Sequence, residues 1–275
     1  MAYYPQIKAI MFDVDGSVCP QGGWISPSVA SFFRELYYRG IPCGPSTGKN
    51  ADYCRGIAVG CSRPPWEFIL AETGAQLLVC KNPGPPPIFE EKWLIDGSSH
   101  LAVFCQIINY NHLDSCFYHE GYEYKFRMEL KACVLTLFPP TEDIEVTQEW
   151  FEWFSGIIEM EHLKLTLKRH SDGCIDILPR GLDKSLGVKA VCDLYGCKPE
   201  NILTVGDGVN DKELLEGTTA IVVANATEEI KDLVENQGGF VSELSNGEGF
   251  MDGVYFYATK KCFGEHSVSI ARLAS

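Results

Sequence analysis

The stretch that decides the fold is Ile7 to Ser17, with the sequence IKAIMFDVDGS. Its first part, Ile7 to Phe12, is a short and mostly apolar run that stops at Asp13. Apolar runs of this length are typical of strands buried on both faces in a parallel sheet. The stretch therefore predicts a buried parallel strand with acidic side chains at its carboxyl end.

An alternation of strands and helices continues from this stretch and returns late in the chain. Pro27 to Tyr38 has apolar residues at helical spacing and is followed by Gly40, a common helix stop. Because strands are predicted before and after this helix, we expect parallel pairing with a right-handed crossover. The further predicted elements are strands at Ile41 to Pro45 and Phe68 to Ala71, helices at Ser185 to Leu194 and Asp211 to Glu216, and strands at Asn201 to Val205, Ala220 to Val223 and Gly239 to Val241. Both ends of the chain therefore predict one α/β fold, a Rossmann-like doubly wound parallel sheet.

The middle of the chain has a different pattern and predicts a second domain. The proline-rich stretch Asn82 to Pro87 is interpreted as a linker. Beyond it, period-two alternation predicts strands and helical spacing predicts an amphipathic helix. These elements are Tyr122 to Arg127, the helix Trp150 to Ile158, Leu163 to Lys168, a turn at Ser171 to Gly173, and Cys174 to Leu178. We therefore predict a core formed by residues 1–79 and 180–275, and an inserted α+β domain on an antiparallel sheet at residues 80–179.

Composition and charge restrict the class of protein and its partners. The chain has 275 residues, of which 45% are hydrophobic and 22% charged, as in globular proteins. No apolar run approaches the roughly 20 residues of a membrane helix, and Met1 to Gln6 has no secretory signal. The net charge of −14 argues against a nucleic acid or an anionic membrane as partner. The 12 cysteines form no C-x-x-C pair, so we expect free thiols and a cytoplasmic location.

Four short polar motifs follow predicted strands or begin a predicted helix. They are Asp13-Val14-Asp15-Gly16-Ser17, Ser46-Thr47-Gly48, Lys184, and Gly206-Asp207-Gly208-Val209-Asn210-Asp211. Taken alone, each is explained by a polar turn, a helix cap or a solvated charge. An EF-hand loop is excluded for the first motif, because Val18 and Trp24 stand where it requires glycine and glutamate. Ligands bind beyond the carboxyl ends of strands in open α/β sheets, so we expect all four motifs to lie in one cleft.

The aspartates of these motifs would repel one another in a shared cleft and would need a cation at neutral pH. They are Asp13, Asp15, Asp207 and Asp211. Carboxylate, carbonyl and water oxygens suit Mg²⁺. Thr47 and Lys184 would supply the hydroxyl donor and the positive charge that phosphate oxygens require. The set therefore predicts a magnesium site next to a phosphate site.

In chain order, the sequences DVDGS, STGK, the single Lys184 and GDGVND resemble the four motifs of the haloacid dehalogenase superfamily. The resemblance covers the whole chain, because the insertion between the second and third motifs is similar to the larger, Cof and sucrose-phosphatase type of cap domain. Two positions depart from the usual pattern: Ser17 stands where threonine is usual, and Lys49 where arginine is frequent. The resemblance implies a phosphatase with a cap domain and Mg²⁺ as cofactor.

The same resemblance implies a role for each motif residue. Asp13 would be the nucleophile, and Asp15 would protonate the leaving alcohol and then activate water. Asp13, the backbone carbonyl of Asp15, and Asp207 would hold Mg²⁺, with Asp211 assisting directly or through water. The substrate contacts would come from Gly16, Thr47, Gly48, Lys184 and Asn210.

Two further stretches bear on the substrate. Ile175 to Gly181 and Val223 to Glu229 resemble the sucrose-phosphatase and related sugar-phosphatase branch, so the expected substrate is a small phosphorylated metabolite, a sugar phosphate. A phosphoglycolate phosphatase, a phosphomutase and a non-catalytic sugar-phosphate sensor are the alternatives, and a homo-oligomer is compatible with the sequence. Substrate choice is expected to rest with polar residues on the cap sheet, although a solvated sheet face explains them equally well. These residues are Glu123, Lys125, Arg127, Lys164 and Lys168.

Overall fold

The computed structural model describes residues 4–60, 66–84, 87–108, 116–119, 122–125, 127–138, 144–170 and 173–274. Of residues 58–60, 116–119, 122–125, 127, 130 and 144–147 it describes the backbone only. The chain divides into two compact units. The first is Met1–Leu94 with Asp183–Ser275, and the second is Ile95–Leu182.

The elements alternate along the chain, and the second unit interrupts the first. Up to Leu94 they are β1 (Ala9–Phe12), α1 (Pro27–Tyr38), β2 (Cys43–Pro45), α2 (Ala51–Gly60), β3 (Phe68–Ala71), β4 (Gln76–Asn82) and β5 (Ile88–Trp93). The second unit contains α3 (Ser98–Ile107), β6 (Cys116–His119), β7 (Tyr122–Lys125), β8 (Arg127–Leu130), β9 (Leu135–Phe138), α4 (Ile144–Met160), β10 (Leu165–Arg169) and β11 (Ile175–Pro179). The first unit then continues with α5 (Lys184–Tyr195), β12 (Ile202–Gly206), α6 (Lys212–Leu215), β13 (Thr219–Val222), α7 (Glu228–Asn236), β14 (Phe240–Val241), α8 (Asn246–Thr259) and α9 (Ser267–Ala271).

A parallel sheet of order β14-β13-β12-β1-β2 forms the centre of the first unit. The side chains of β1 alternate between its two faces. Ile10 and Phe12 pack in an apolar cluster with residues of α1 and α8, whereas Ala9 and Met11 pack in another with residues of α5. Helices therefore cover both faces, which explains why β1 is apolar at consecutive positions. The predicted doubly wound α/β core is confirmed.

An antiparallel sheet of β3, β4 and β5 also belongs to the first unit. The proline-rich stretch interpreted as a linker lies between β4 and β5, which pair with each other along their length. Because this pairing and the burial of Leu78 hold both strands to the first unit, that unit extends to Leu94, beyond the residue 79 at which the sequence places its end. The second unit ends at Leu182, where the sequence places the boundary after residue 179.

The second unit is built on an antiparallel sheet of order β10-β11-β9-β8, and β6 pairs with β7 in a separate hairpin. One face of the four-stranded sheet is apolar and packs on α3 and α4, with Leu135, Leu137, Ile175 and Ile177 buried against Phe154. The predicted antiparallel cap sheet with helices on one face is therefore confirmed. Of the predicted turn at Ser171 to Gly173, the first two residues lie outside the described part of the chain.

The described part of the chain also shows the length and polarity of its helices and the state of its cysteines. No helix among them is both long and apolar enough to cross a membrane. The described cysteines form no disulfide with one another, and most of them are buried.

Candidate active site

The carboxyl ends of three neighbouring strands bring the first, second and fourth motifs together. β1 lies between β2 and β12, and the amide of Asp13 donates to the carbonyl of Val205 at 2.9 Å. On the other side, the amide of Ser46 donates to the carbonyl of Phe12 at 2.8 Å. Backbone hydrogen bonds thus hold the loops after all three strands at one edge of the sheet.

Lys184 connects two of the aspartates. It is the first residue of α5, a helix capped by the side chain of Asp183. Its ammonium group lies 2.6 Å from Oδ1 of Asp13 and 2.5 Å from Oδ1 of Asp211, and only 2% of the lysine side chain is exposed. Burial alone would lower the pKa of Lys184, but the charges of Asp13 and Asp211 outweigh it and raise that pKa above its usual range. The lysine is therefore a buried cation shared by two carboxylates.

Asp207 lies next to this pair and is held from the first motif. The hydroxyl of Ser17 donates to Oδ1 of Asp207 at 2.8 Å. Burial raises the pKa of Asp207 to about 6, and the charge of Asp211 adds to the rise. Burial likewise raises the pKa of Asp13 to about 7, although Lys184 opposes the rise. The carboxylates are thus crowded in a region with little water, where a further cation would stabilise their charged forms.

Asp13, Asp207 and Asp211 form a cluster with the composition of a metal site. Each offers a carboxylate oxygen, and these oxygens all lie within 4.8 Å of one another. Asp211 is fully buried and both of its oxygens accept hydrogen bonds, Oδ2 from the amides of Asp207 and Gly208 and Oδ1 from Lys184. An all-oxygen set of this kind fits Mg²⁺, with Asp211 better placed to act through a water molecule than directly.

Asp15 contacts different neighbours from those of the three clustered aspartates. Its Oδ1 accepts from the amide of Gly22 at 3.0 Å, and its Oδ2 lies 3.5 Å from the ammonium group of Lys49. That ammonium group also lies 5.3 Å from the centre of the Tyr53 ring. Asp15 is therefore oriented by a backbone amide and by a lysine outside the predicted set of site residues.

Thr47 is buried, and hydrogen bonds hold both its backbone amide and its backbone carbonyl. Its amide donates to Leu70 at 3.0 Å, and its carbonyl accepts from Thr73 at 2.9 Å. Its hydroxyl oxygen accepts from the amide of Lys49 at 3.2 Å, so the hydroxyl proton can be donated to another acceptor. Gly48 lies between Thr47 and Lys49 in this loop, and a side chain there would come within 3.8 Å of Thr73.

Gly16 occupies a position that other residues would not fit. Its φ is +84°, and a Cβ atom there would lie 2.2 Å from Oδ2 of Asp207. The side-chain amide of Asn225, a residue in the loop that follows β13, donates to the carbonyl of Gly16 at 2.8 Å and supports this turn. The close approach of the first and fourth motifs therefore depends on glycine.

Asn210 is placed in the short helical turn that precedes Asp211. Its Oδ1 lies over Gly208, where a Cβ atom would come within 2.4 Å. The structure thus puts Asn210 in the fourth motif, but gives it no hydrogen bond to Asp13 or Lys184 among the described contacts.

Three residues outside the predicted set contribute to the site. Ser17 binds Asp207, Asn225 supports Gly16, and Lys49 pairs with Asp15. Each carried a signal in the sequence, because Ser17 and Lys49 belong to motifs and Asn225 lies in the stretch that resembles sugar phosphatases. Sequence position alone did not show which neighbour each side chain would contact.

The polar face of the cap sheet contains an ordered network. Asp176 accepts from Thr136 at 2.5 Å and lies 2.8 Å from Nε2 of His170. Lys164, which directly precedes β10, is exposed, and Lys168 in β10 is partly buried. The side chains of the other cap candidates, Glu123, Lys125 and Arg127, lie outside the described part of the structure, so their role stays a prediction.

Comparison with known proteins adds a family and a fold. The model of the haloacid dehalogenase-like hydrolase family matches residues 90–247, more than half of the chain. A phosphoglycolate phosphatase of Methanopyrus kandleri is 24% identical over 243 residues, which cover 87% of this chain and 92% of that protein. A Streptococcus pyogenes protein assigned as a bifunctional phosphatase/peptidyl-prolyl cis-trans isomerase is 24% identical over 90% of this chain, and the chain spans about half of that relative, 53% of its length.

A solved structure with the same fold is that of a sucrose-phosphatase from Synechocystis sp. in complex with sucrose and phosphate. It superposes with a TM-score of 0.66 and covers 92% of this chain and 98% of its own, at 14% sequence identity. At this identity the similarity shows the shared fold of both compact units and says nothing of the substrate.

Proposed function

Because the chain belongs to the haloacid dehalogenase-like hydrolases, we propose that it is a Mg²⁺-dependent phosphatase acting on a small phosphorylated metabolite through an aspartyl-phosphate on Asp13. The family membership confirms the predicted superfamily and enzyme class, a hydrolase of the phosphatase type. The observation that supports the proposed site most is the ammonium group of Lys184, shared at 2.6 and 2.5 Å by Asp13 and Asp211. A buried cation beside crowded carboxylates matches the charges of a phosphoryl-transfer site.

In the proposed first step, an oxygen of Asp13 attacks phosphorus and the bond from phosphorus to the leaving oxygen breaks. Asp15 gives a proton to that oxygen, so the product is a neutral alcohol. In the second step a water oxygen attacks phosphorus, Asp15 takes its proton, and the bond from phosphorus to Asp13 breaks. Inorganic phosphate leaves and Asp13 is regenerated.

Mg²⁺ would be held by Asp13, Asp207 and the backbone carbonyl of Asp15, with Asp211 acting through water. When bound, the ion would neutralise the phosphate oxygens and reduce the repulsion between Asp13 and the substrate. Ser17 keeps Asp207 in place for this role by its hydrogen bond of 2.8 Å. The fit rests on the donors, which are all oxygen atoms of carboxylates that lie close together.

The phosphate oxygens would be bound by groups that the fold already holds in position. Lys184 supplies the positive charge, Thr47 a hydroxyl proton, and the turn at Gly16 backbone amides. Gly48 and Asn210 complete the proposed set from the second and fourth motifs. Because phosphoryl transfer depends mainly on positioning and charge neutralisation, this set is sufficient in kind for the reaction.

For the substrate we propose a sugar phosphate first and phosphoglycolate second. The first rests on the stretches Ile175 to Gly181 and Val223 to Glu229, which resemble sugar phosphatases. The second is favoured by relatives that are phosphoglycolate phosphatases, such as that of Methanopyrus kandleri at 24% identity. The second compact unit, Ile95–Leu182, would act as the cap that selects the substrate, and a cytoplasmic location stays a prediction.

Phosphate release by the purified protein tests this proposal. We expect activity on a panel of phosphate monoesters with Mg²⁺, loss of activity with a chelator, and a loss of about 10³-fold or more in Asp13→Asn. Asp232→Asn, a change of an exposed aspartate in α7, is the matched control and should keep full activity. Transfer of the phosphate to a second sugar hydroxyl would indicate a mutase, and binding without turnover would indicate a sensor. Either result, or full activity in Asp13→Asn, would overturn the proposal.

A further inference from the structure

We infer that Lys49 recognises the leaving group and that, within the two proposed substrate classes, the preferred members are those whose leaving alcohol carries a second anionic group, a carboxylate or another phosphate. This inference rests on the proposed function, because it assigns Asp15 to the leaving oxygen. It adds a specificity-determining residue in the first unit to those expected from the cap.

The position of Asp15 marks the leaving-group side of the site. In phosphoryl transfer the attacking and leaving oxygens lie roughly in line on opposite sides of phosphorus. With Asp13 as nucleophile, a group that reaches Asp15 therefore reaches the leaving alcohol as well. Lys49 is such a group, since its ammonium lies 3.5 Å from Oδ2 of Asp15.

The other lysine of the site, Lys184, is not placed to contact the leaving group. Lys184 is 2% exposed and its ammonium is bound between Asp13 and Asp211. The side chain of Lys49 is 36% exposed, so its ammonium can contact both Asp15 and a bound molecule. The two lysines would thus bind different parts of the substrate: Lys184 binds the phosphate, and Lys49 binds the leaving group.

The backbone of Lys49 is held more firmly than an ordinary surface loop. Its amide donates to the hydroxyl of Thr47 at 3.2 Å, and its carbonyl accepts from the amide of Glu72 at 2.8 Å. Glu72, the donor to Lys49, and Thr73, whose amide donates to the carbonyl of Thr47, both lie in the left-handed region, with φ of 50° and 61°. This conformation is unfavourable for both residue types, and for the β-branched Thr73 it is an outlier. These backbone hydrogen bonds therefore fix the position of the Lys49 backbone, from which its side chain extends.

The ammonium group at the end of the Lys49 side chain is also held in position, by the ring of Tyr53. Its ammonium lies 5.3 Å from the centre of the Tyr53 ring, a distance at which the ring face attracts a cation. Tyr53 is itself positioned at the start of α2, where its amide is capped by Oδ1 of Asn50 at 2.8 Å. A cation held over a ring next to Asp15 is prepared for a ligand of opposite charge.

The charge of the whole chain explains why such a cation would matter. At a net charge of −14, the protein repels an anionic substrate at long range, so a local cation at the leaving-group side favours its binding. A neutral polyol would displace water from Lys49 without supplying a charged partner. A carboxylate or phosphate would form a charge-assisted hydrogen bond, which is about twice as strong as a neutral one.

Matched pairs of substrates test this inference independently of the substrate class. Phosphoglycolate is compared with hydroxyethyl phosphate, and 6-phosphogluconate with sorbitol 6-phosphate, because the members of each pair differ in a carboxylate. We expect kcat/KM of the wild-type protein to favour the anionic member of at least one pair by about 10-fold or more. Lys49→Met should reduce that ratio to near one, whereas Lys49→Arg should retain most of it.

Control variants separate the effect of Lys49 from general effects on charge and folding. Lys189→Met removes an exposed lysine of α5 and should leave the wild-type ratio unchanged. Tyr53→Leu removes the ring beneath the ammonium and should lower the ratio part of the way. If Lys49→Met does not fold, Lys49→Gln carries the same expectation.

The outcomes distinguish this inference from the proposed function. A wild-type ratio near one in both pairs, or a ratio that persists in Lys49→Met, would overturn the inference. The proposed phosphatase function would still hold if the protein hydrolyses the substrates and Asp13→Asn does not. Absence of phosphate release from every substrate with Mg²⁺ would instead overturn the proposed function, and the inference with it.

Discussion

Two lysines form ion pairs with aspartates of the site among the residues that the structure describes, and they belong to two different electrostatic regions. Lys184 is 2% exposed and contacts two carboxylates at 2.5 and 2.6 Å. Lys49 is 36% exposed and contacts one at 3.5 Å. The first is part of a buried charge network, and the second is partly exposed to water, which weakens its ion pair. The same residue type is therefore buried between two carboxylates in one region and partly exposed beside one carboxylate in the other, where we infer that it recognises the leaving group.

Lys184→Met should have the largest effect, because it leaves two buried carboxylates without their cation. We expect phosphatase activity to fall about 10³-fold or more, and the free energy of unfolding to fall by about 3–5 kcal/mol. Phosphate release and urea unfolding at neutral pH measure the two effects. Wild-type stability in this variant would show that the buried network does not depend on the lysine.

Gly16→Ala should disrupt the buried region through sterics rather than charge. The added Cβ would lie 2.2 Å from Oδ2 of Asp207, so we expect the concentration of Mg²⁺ needed for activity to rise about 10–100-fold. Gly40→Ala is the matched control, because its φ of +68° is similar but a Cβ atom there meets nothing within 4 Å. That variant should lose about 1–2 kcal/mol of stability and keep its response to Mg²⁺. Equal Mg²⁺ responses in the two variants would contradict the role assigned to the close approach.

Glu67→Gln examines a partly buried carboxylate that, unlike Asp13, forms no ion pair with a cation among the described residues. Burial raises the pKa of Glu67 to about 7 from 4.5, although the amide of Cys43 bonds to it at 2.9 Å and opposes the rise. The folded state therefore favours the protonated acid, and the stability this contributes is present below pH 4.5 and is lost as the pH rises through about 7.

Since glutamine stays neutral and can still accept from Cys43, its stabilising effect should grow with pH. We expect the gain in the free energy of unfolding over wild type to increase by about 2 kcal/mol between about pH 5.5 and about pH 8. Urea unfolding at both pH values measures it. Glu235→Gln, a change of an exposed glutamate at the end of α7, should show no such trend. A gain for Glu67→Gln that does not depend on pH would refute the assigned burial effect.

Lys49→Met should have the smallest effect on stability, because half-exposed ion pairs contribute little. We expect the free energy of unfolding to change by less than about 1 kcal/mol, in contrast to Lys184→Met. Thermal and urea unfolding of the two variants under the same conditions make the comparison. A loss as large as that of Lys184→Met would remove the distinction between the buried and the partly exposed region.

Much of the architecture could be read from local patterns. The apolar run before Asp13 predicted a strand buried on both faces, and Ala9 to Phe12 is that strand, with alternate residues in two apolar clusters. The stretch Asn82 to Pro87, interpreted as a linker, had no local pattern that indicated the pairing of the strands on either side of it. Whether it separates two domains or joins two paired strands depends on the hydrogen bonds between β4 and β5, which no local propensity encodes.

The sequence by itself determined the strand that carries Asp13, the order of the four motifs and the chemical types of their side chains, because periodicity and strand-end placement are properties of short segments. Only the tertiary structure decided which charges meet. The contact of Lys184 with Asp13 joins residues 171 positions apart, and that of Ser17 with Asp207 joins residues 190 positions apart. Such contacts, and the different exposure of Lys184 and Lys49, depend on which side chains become buried and which come close together when the chain folds.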